Sequence, residues 1–263
     1  MQSFEITLPK PKRAEYVSAF VICCLHIGSK NHDAERALTY RDYIMETPDT
    51  YAFNLGDDVE NALPGDEKHN SMMWDQVMPP EEQFEAACQY WLPVAKAGKL
   101  ILTHDSNHWW RSEAKTGISI AKQLNRYLAQ NAPVGRAPKW GQWQAMTKLR
   151  VGEQSYVLHS WHGSGGGSSP ESALRKCREQ ASNHIADAYV MGHMHRRISY
   201  QDVVKRWAPG GHGVEEHVRT FAVTGSFMKW DNGYGERAGY GIPKTGAVKM
   251  EFSSKRWDIR VTT

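Results

Sequence analysis

The chain predicts an α/β fold, one domain over residues 1–263 with mixed sheets flanked by helices, and three observations predict it. Apolar runs of strand length alternate with segments of helical period through the first two thirds of the sequence. The last third is strand-like throughout. Several of the apolar runs stop at histidine, aspartate or asparagine, as strands do when their carboxyl ends carry a site.

Residues 17–25 read as a first buried strand, followed by a helix over 32–46 with Ala34, Ala37, Leu38 and Ile44 on one face. Residues 51–55 form a second strand that ends in Gly56-Asp57-Asp58. A loop with Pro64 and Gly65 leads to Pro79-Pro80, which opens a helix carrying Phe84, Ala87, Cys88 and Trp91, with Pro93 ending or kinking it. A third strand covers 99–103, and an amphipathic helix covers 113–130 with Ile118, Ala121, Leu124 and Leu128. Strands follow at 142–149 and 155–160. A glycine/serine loop at 163–169 then ends in a helix capped by Ser168 or Ser169, with Pro170 in its first turn and Glu171 placed for a capping box. Residues 186–191 are another strand, and 197–204, 217–224, 247–252 and 257–261 complete the strand-rich end. No internal repeat or low-complexity tract breaks this order.

At 263 residues the chain can bury a large core without disulfides. Hydrophobic residues make up 40% and charged residues 23%, the balance of a water-exposed globular protein. A net charge of +3 is too small to argue for nucleic acid, since a dedicated binder usually shows a strong basic patch. The four cysteines (Cys23, Cys24, Cys88 and Cys177) show no CxxC spacing, so neither a disulfide framework nor a zinc knuckle is indicated. A reducing, cytoplasmic compartment is the expectation. Lys10, Lys12 and Arg13 before the first apolar run give the outline of a signal peptide, but no cleavage site follows and the run leads into His26, so it reads as a strand. No segment approaches the roughly 18 apolar residues that span a bilayer, so no membrane association is expected.

Twelve histidines are unusual, and many sit where apolar runs end. The first run gives Cys24-Leu25-His26, with alternation placing Cys24 and His26 on one side. The second gives Asp57 and Asp58, the third His104-Asp105-Ser106-Asn107-His108, and the fourth His159-Ser160-Trp161-His162-Gly163. The fifth gives Gly192-His193-Met194-His195, where Gly192 lets the backbone turn tightly and both imidazoles converge. Any one of these histidines also fits a hydrogen-bonded structural role. The whole set fits a two-metal hydrolase, in which a carboxylate bridges two cations, imidazoles and an amide oxygen complete the shells, and a further histidine serves the leaving group.

The order of these elements resembles the calcineurin-like metallophosphoesterase superfamily, over about residues 22–195. The stretch Leu55-Gly56-Asp57-Asp58-Val59-Glu60-Asn61-Ala62 and the loop to Gln83 are similar to uncharacterised phosphoesterases of phage and prophage genomes, and a phage-encoded protein would act in the host cytoplasm. The resemblance implies a four-layer αββα sandwich of two mixed sheets flanked by helices. It implies a first divalent metal on His26, Asp57 and His195, with Cys24 where the family has an aspartate. It implies a second on Asp57, Asn107, His162 and His193, manganese, zinc or iron in either case. His162 precedes a glycine as the family's histidine does, and His159 is the alternative. His108 becomes the general acid or transition-state stabiliser. The implied reaction is hydrolysis of a phosphodiester or phosphomonoester, with nucleic acid or a nucleotide as the favoured substrate.

Three departures from the family stand out. Cys24 would bring a soft thiolate that favours zinc or iron over manganese or magnesium, and its alternative is a small buried hydrophobe. Ser106 replaces a glycine, and Trp109 an acidic residue. Trp109, Trp110 and Arg111 could stack a base and pair with a phosphate, or could simply pack. The glycine/serine loop is not a Walker motif and reads as a flexible entrance. The competing function is a non-catalytic descendant that binds nucleic acid or a partner, its first metal site degraded at Cys24.

Overall fold

The computed structural model describes residues 1–11, 14–65, 70–167, 169–208, 210–211 and 213–263. Lys12, Arg13 and Ser168, each part of a reading above, lie outside them. In chain order the elements are β1 (Gln2–Leu8), β2 (Tyr16–Ile22), α1 (Ala34–Glu46), β3 (Thr50–Asn54), α2 (Asn70–Met73), α3 (Pro80–Lys96) and β4 (Leu100–Thr103). Then come α4 (Asn107–Thr116), α5 (Ile120–Asn131), β5 (Lys139–Trp140), β6 (Gln144–Val151), β7 (Gln154–Trp161), α6 (Pro170–Glu179) and β8 (Ala188–Met191). The chain closes with β9 (Ile198–Trp207), β10 (Val214–Val223), α7 (Tyr234–Arg237), β11 (Val248–Ser253) and β12 (Ile259–Thr262).

Two mixed six-stranded sheets result, ordered β1-β6-β7-β8-β10-β9 and β12-β11-β2-β3-β4-β5. In the second, β2, β3, β4 and β5 run parallel, and β11 and β12 close the other edge antiparallel. In the first, β7, β8 and β10 are parallel neighbours. Strand alternation decides which residues meet. Val17, Ala19 and Val21 of β2 face Leu158, Ala188, Val190 and Ala222 of the other sheet in a shared core. Phe20 and Ile22 point the opposite way, onto Ala37 and Ile44 of α1, Trp91 of α3, and Leu124 and Leu128 of α5. Likewise Tyr189, Met191, Phe221 and Val223 turn outward to bury Ala173 and Cys177 of α6. The fold is therefore a four-layer αββα sandwich of two mixed β-sheets flanked by helices. Among the described residues no helix is long and apolar enough to cross a membrane, and all four cysteines are free and buried.

Several local expectations change. The helix expected over 113–130 is two helices. Gly117, left-handed at φ 71°, caps α4, and the Ser119 side chain accepts from Lys122 N to start α5. Ile118 is thereby exposed between them. Pro93 does not end its helix: α3 continues to Lys96. On α1 the buried seam is Ala37 and Ile44 with Tyr40 against it, while Leu38 faces solvent. Ser169 caps α6 through Ser172 N, which puts Ser172 rather than Glu171 at the third helical position, one residue off a capping box. The edge strand β1 and the two-residue β5 were not legible as strands at all.

Candidate metal centre

The parallel strands β2, β3 and β4 of one sheet and β7 and β8 of the other send their carboxyl-end loops to a common place. Leu55 O, just beyond β3, accepts from His162 Nδ1 at 2.6 Å, and Gly192 N donates to His162 O at 3.0 Å, so the two sheets are tied together there. The strand expected to run to residue 25 ends at Ile22. Strand alternation therefore does not align Cys24 with His26. Both residues are left-handed, at φ 56° and 50°, as are Asp57, His193 and His195 at 53°, 64° and 53°. Five of the nine non-glycine residues with positive φ among the described residues thus lie at this one place. Such conformations cost about 1–3 kcal/mol each and gather at functional sites.

Gly192 plays a different part from the one its turn-like position suggests. Its own φ is not in the left-handed range. A Cβ there would lie 2.2 Å from Cys23 Sγ and 2.8 Å from Cys23 Cβ, so the glycine is required by the close approach of the two sheets. The tight turn belongs instead to His193 and His195, with Met194 N donating to Gly192 O at 2.7 Å.

Besides His26, Glu60 and His108, whose ligand atoms also lie within 4.8 Å of one another, two groups of donor atoms form among the described residues. In one, Asp57, His162 and His193 each place a ligand atom within 4.8 Å of the others. His162 Nδ1 is committed to Leu55 O, so its Nε2 faces Asn107 Oδ1 at 2.9 Å and Asp57 Oδ2 at 3.3 Å. A neutral imidazole would bring its lone pair against two oxygens, and only a proton or a cation relieves that. His193 Nε2 is likewise committed, to Gly165 O at 2.9 Å. Its Nδ1 is buried with no hydrogen-bond partner among the described residues, 3.9 Å from Asp57 Oδ2. This set of oxygens and imidazole nitrogens fits a divalent cation.

In the other group, Cys24, His26 and His195 hold their ligand atoms within 4.8 Å of one another. Glu60 Oε2 accepts from His26 Nδ1 at 3.0 Å, which turns His26 Nε2 toward His195 Nε2 at 3.1 Å. Two imidazole nitrogens aimed at each other beside a sulfur again suit a cation. Cys24 is wholly buried yet reaches this cluster. Cys23 Sγ lies 3.3 Å from Cys24 Sγ and 3.7 Å from His162 Nδ1, behind the donors.

Ionisation follows from burial and from the neighbours. Burial alone would raise the Asp57 carboxyl, but the neighbouring His108 and His162 rings, and the hydrogen bond from His162, hold it well below the usual carboxylate range. Burial would lower His162, yet Asp57 and Cys23 carry it well above its ordinary value. His195 is pushed well below by burial and then by His26 and His193, which keeps it the neutral donor a metal requires. Burial would lower His26, but its Glu60 partner, with Asp57 and Cys23 adding, raises it. Burial pushes the Cys24 thiol well up, with Cys23 adding to it.

His108 lies beside this centre. Its Nδ1 donates to Glu60 O at 2.7 Å, Arg111 Nη2 donates to its Nε2 at 3.2 Å, and Asp57 Oδ2 is 3.9 Å from that nitrogen. Burial pushes His108 down to about 4 against the opposing charge of Asp57, with His26 and Arg111 acting in the same direction as burial. It is therefore a neutral ring with its proton on Nδ1.

The remaining candidates are turned elsewhere. His104 is held by Gln142 O and Ser160 Oγ, and Asp58 by the indole N–H groups of Trp91 and Trp109 and by Asn54. His159 stacks on His184 at 4.4 Å between centroids, away from Asp57, so His162 and not His159 meets Asn107. Ser106 caps α4 and Trp109 is buried on Asp58. Glu60 and Cys23 were missed, and Arg111, a phosphate-pairing or packing candidate above, is buried with its guanidinium donating to Glu60 O and His108 Nε2. For Glu60 the available signal was an acid between Val59 and Ala62, in a run too apolar to bury a carboxylate without a partner.

No protein-family model matches this sequence, and no curated protein matches it. Among solved structures the chain is similar to a conserved uncharacterised protein from Streptococcus pneumoniae TIGR4 described as a predicted phosphoesterase, at 14% identity over 94% of this chain and 90% of that one, with a TM-score of 0.40. It is also similar to a hypothetical protein from Pyrococcus horikoshii OT3, at 12% identity over 93% and 87%, with a TM-score of 0.36. A single mutant of Vps29 from Entamoeba histolytica is 10% identical over 93% and 97%, with a TM-score of 0.30. Likenesses of this size say nothing about activity.

Proposed function

We propose that this chain is a metal-dependent phosphoester hydrolase of the calcineurin-like metallophosphoesterase kind, acting as one domain on a nucleotide or nucleic acid ester. The observation that carries the reading is the meeting of Asp57 Oδ2 and Asn107 Oδ1 within 3.3 Å of His162 Nε2, with the unpartnered His193 Nδ1 close by. Cys24, His26, Asp57 and His195 would hold one divalent cation, and Asp57, Asn107, His162 and His193 a second. When bound, such a pair polarises phosphoryl oxygens and lowers the pKa of the attacking water.

The chain's own groups do the rest. Asp57 would join the two clusters: its carboxylate contacts His162 and lies near His193, and its backbone O accepts from His26 N at 3.0 Å. Leu55 O and Gly165 O fix the tautomers of His162 and His193, and Glu60 fixes that of His26. Of the two roles open to His108, stabilisation of transition-state charge fits better than proton donation. Its Nε2 carries no proton and instead accepts from Arg111, so the pair presents a cationic edge beside Asp57.

The test is elemental analysis of the purified protein together with hydrolysis of bis-p-nitrophenyl phosphate and p-nitrophenyl phosphate, with manganese or zinc supplied. Bound metal and turnover are expected, and Asp57→Asn should abolish both. Wild-type protein that binds no metal and turns over neither ester would leave the non-catalytic binding role instead.

A further inference from the structure

The tryptophans after His108 do not share one fate. Trp109 is buried against Asp58, whereas Trp110 is 47% exposed. Trp110 sits three residues from Asn107 on α4, which places both on one helix face a turn apart. Its ring packs edge-on against Trp143, at 6.2 Å between centroids and 65° between planes, and Trp143 is itself 38% exposed. Trp143 is tied to the same cluster from the other sheet, because His162 N donates to Trp143 O at 3.3 Å. Two open indoles, carried by the neighbours of Asn107 and His162, therefore flank the side of the centre where those two residues meet.

We propose that Trp110 and Trp143 form the platform on which the nucleobase of a nucleotide phosphodiester stacks while its phosphate lies at Asp57, Asn107 and His162. This rests on the hydrolase reading above. An indole face is the surface a planar base recognises, and stacking tolerates any base. The net charge of +3 gives little overall pull on a long phosphate backbone, so the ligand proposed is a single nucleotide unit.

Two p-nitrophenyl phosphodiesters with one leaving group test it: adenosine 5′-(p-nitrophenyl phosphate), which carries a base, and methyl p-nitrophenyl phosphate, which does not. Wild-type protein is expected to prefer the first in kcat/KM, and Trp110→Ala and Trp143→Ala should each reduce that preference ~5- to 100-fold, mainly through KM. A second readout needs neither metal nor turnover: adenosine should quench tryptophan fluorescence of the wild-type protein and fail to do so in the double variant. Hydrolysis of both esters with no base preference, or a preference unchanged in the variants, overturns the platform and leaves the hydrolase reading intact. Quenching that depends on both tryptophans in a protein that hydrolyses neither ester supports the platform and sinks the hydrolase.

Discussion

Gly192→Ala puts a methyl group where the two sheets touch. Its Cβ would stand 2.2 Å from Cys23 Sγ, against the 3.5–4.0 Å of an ordinary contact, so about 1.3 Å or more must be found. Cys23 cannot swing away, because its sulfur is held between Gly56 O at 3.3 Å, Cys24 Sγ at 3.3 Å and His162 Nδ1 at 3.7 Å. The residue is wholly buried, so no solvent-facing rotamer relieves the clash. Overpacking of this kind costs about 1–3 kcal/mol, and the lack of slack points to the upper end. For a chain of this size that is a fall in Tm of roughly 4–12 °C. Because the displaced backbone leads into His193 and His195, affinity for zinc should fall as well. Thermal unfolding and zinc titration of Gly192→Ala, Cys23→Ala and the double variant measure all of this. Removing the sulfur leaves the 2.8 Å approach to Cys23 Cβ, so Cys23→Ala should recover part of the loss, a favourable coupling of about 1 kcal/mol. Wild-type stability in Gly192→Ala would refute the packing argument, and a loss with no coupling to Cys23 would place the clash elsewhere.

Three further outcomes are expected. Glu60→Gln leaves His26 without its charged acceptor, so affinity for zinc or manganese should drop about 10- to 100-fold by calorimetric titration; an unchanged affinity would show that Glu60 does not orient His26. Cys24→Asp replaces a soft donor by a hard one and should shift competitive binding from zinc toward manganese, whereas an identical preference would mean the sulfur does not bind metal. Burial holds His104 neutral, with its pKa lowered from 6.5 to about 4, so the unfolded chain takes up the proton first. The stability this contributes is whole above pH 6.5 and is lost as pH falls toward 4, about 3 kcal/mol in all; His104→Gln should flatten that part of the pH–stability curve, and an equal slope in both proteins would rule it out.

The layers of the fold were legible because buried strands and amphipathic helices leave periods of 2 and 3.6 that no other constraint masks. What escaped was set by single residues or by edges. β1 alternates Phe4, Ile6 and Leu8 with Ser3, Glu5 and Thr7, but as an edge strand it packs only that one face, so three apolar residues are all the signal it offers. β5 is two residues long, below any period. The break between α4 and α5 depends on Gly117 taking a left-handed cap, which a helical stripe running on either side conceals.

At the site, the residue types were legible and the backbone was not. Strand alternation brings i and i+2 to one face but keeps them apart along the strand, and it gives no reason for His193 and His195 to serve different clusters. The left-handed turns at both residues do, sending one toward Asp57 and the other toward His26. Aspartate and histidine tolerate that conformation better than most residues, which suits Asp57, His26, His193 and His195. Cysteine has no such advantage, and Cys24 holds φ 56° all the same. An aspartate there would meet the backbone requirement at lower cost. The backbone therefore does not account for Cys24, which is packed into the core between the sheets as a small buried hydrophobe would be, while its sulfur also lies with two imidazole donors. On the metal reading the sulfur itself would be what sets this position apart, because a thiolate beside two imidazoles is the donor set that separates zinc and iron from manganese and magnesium.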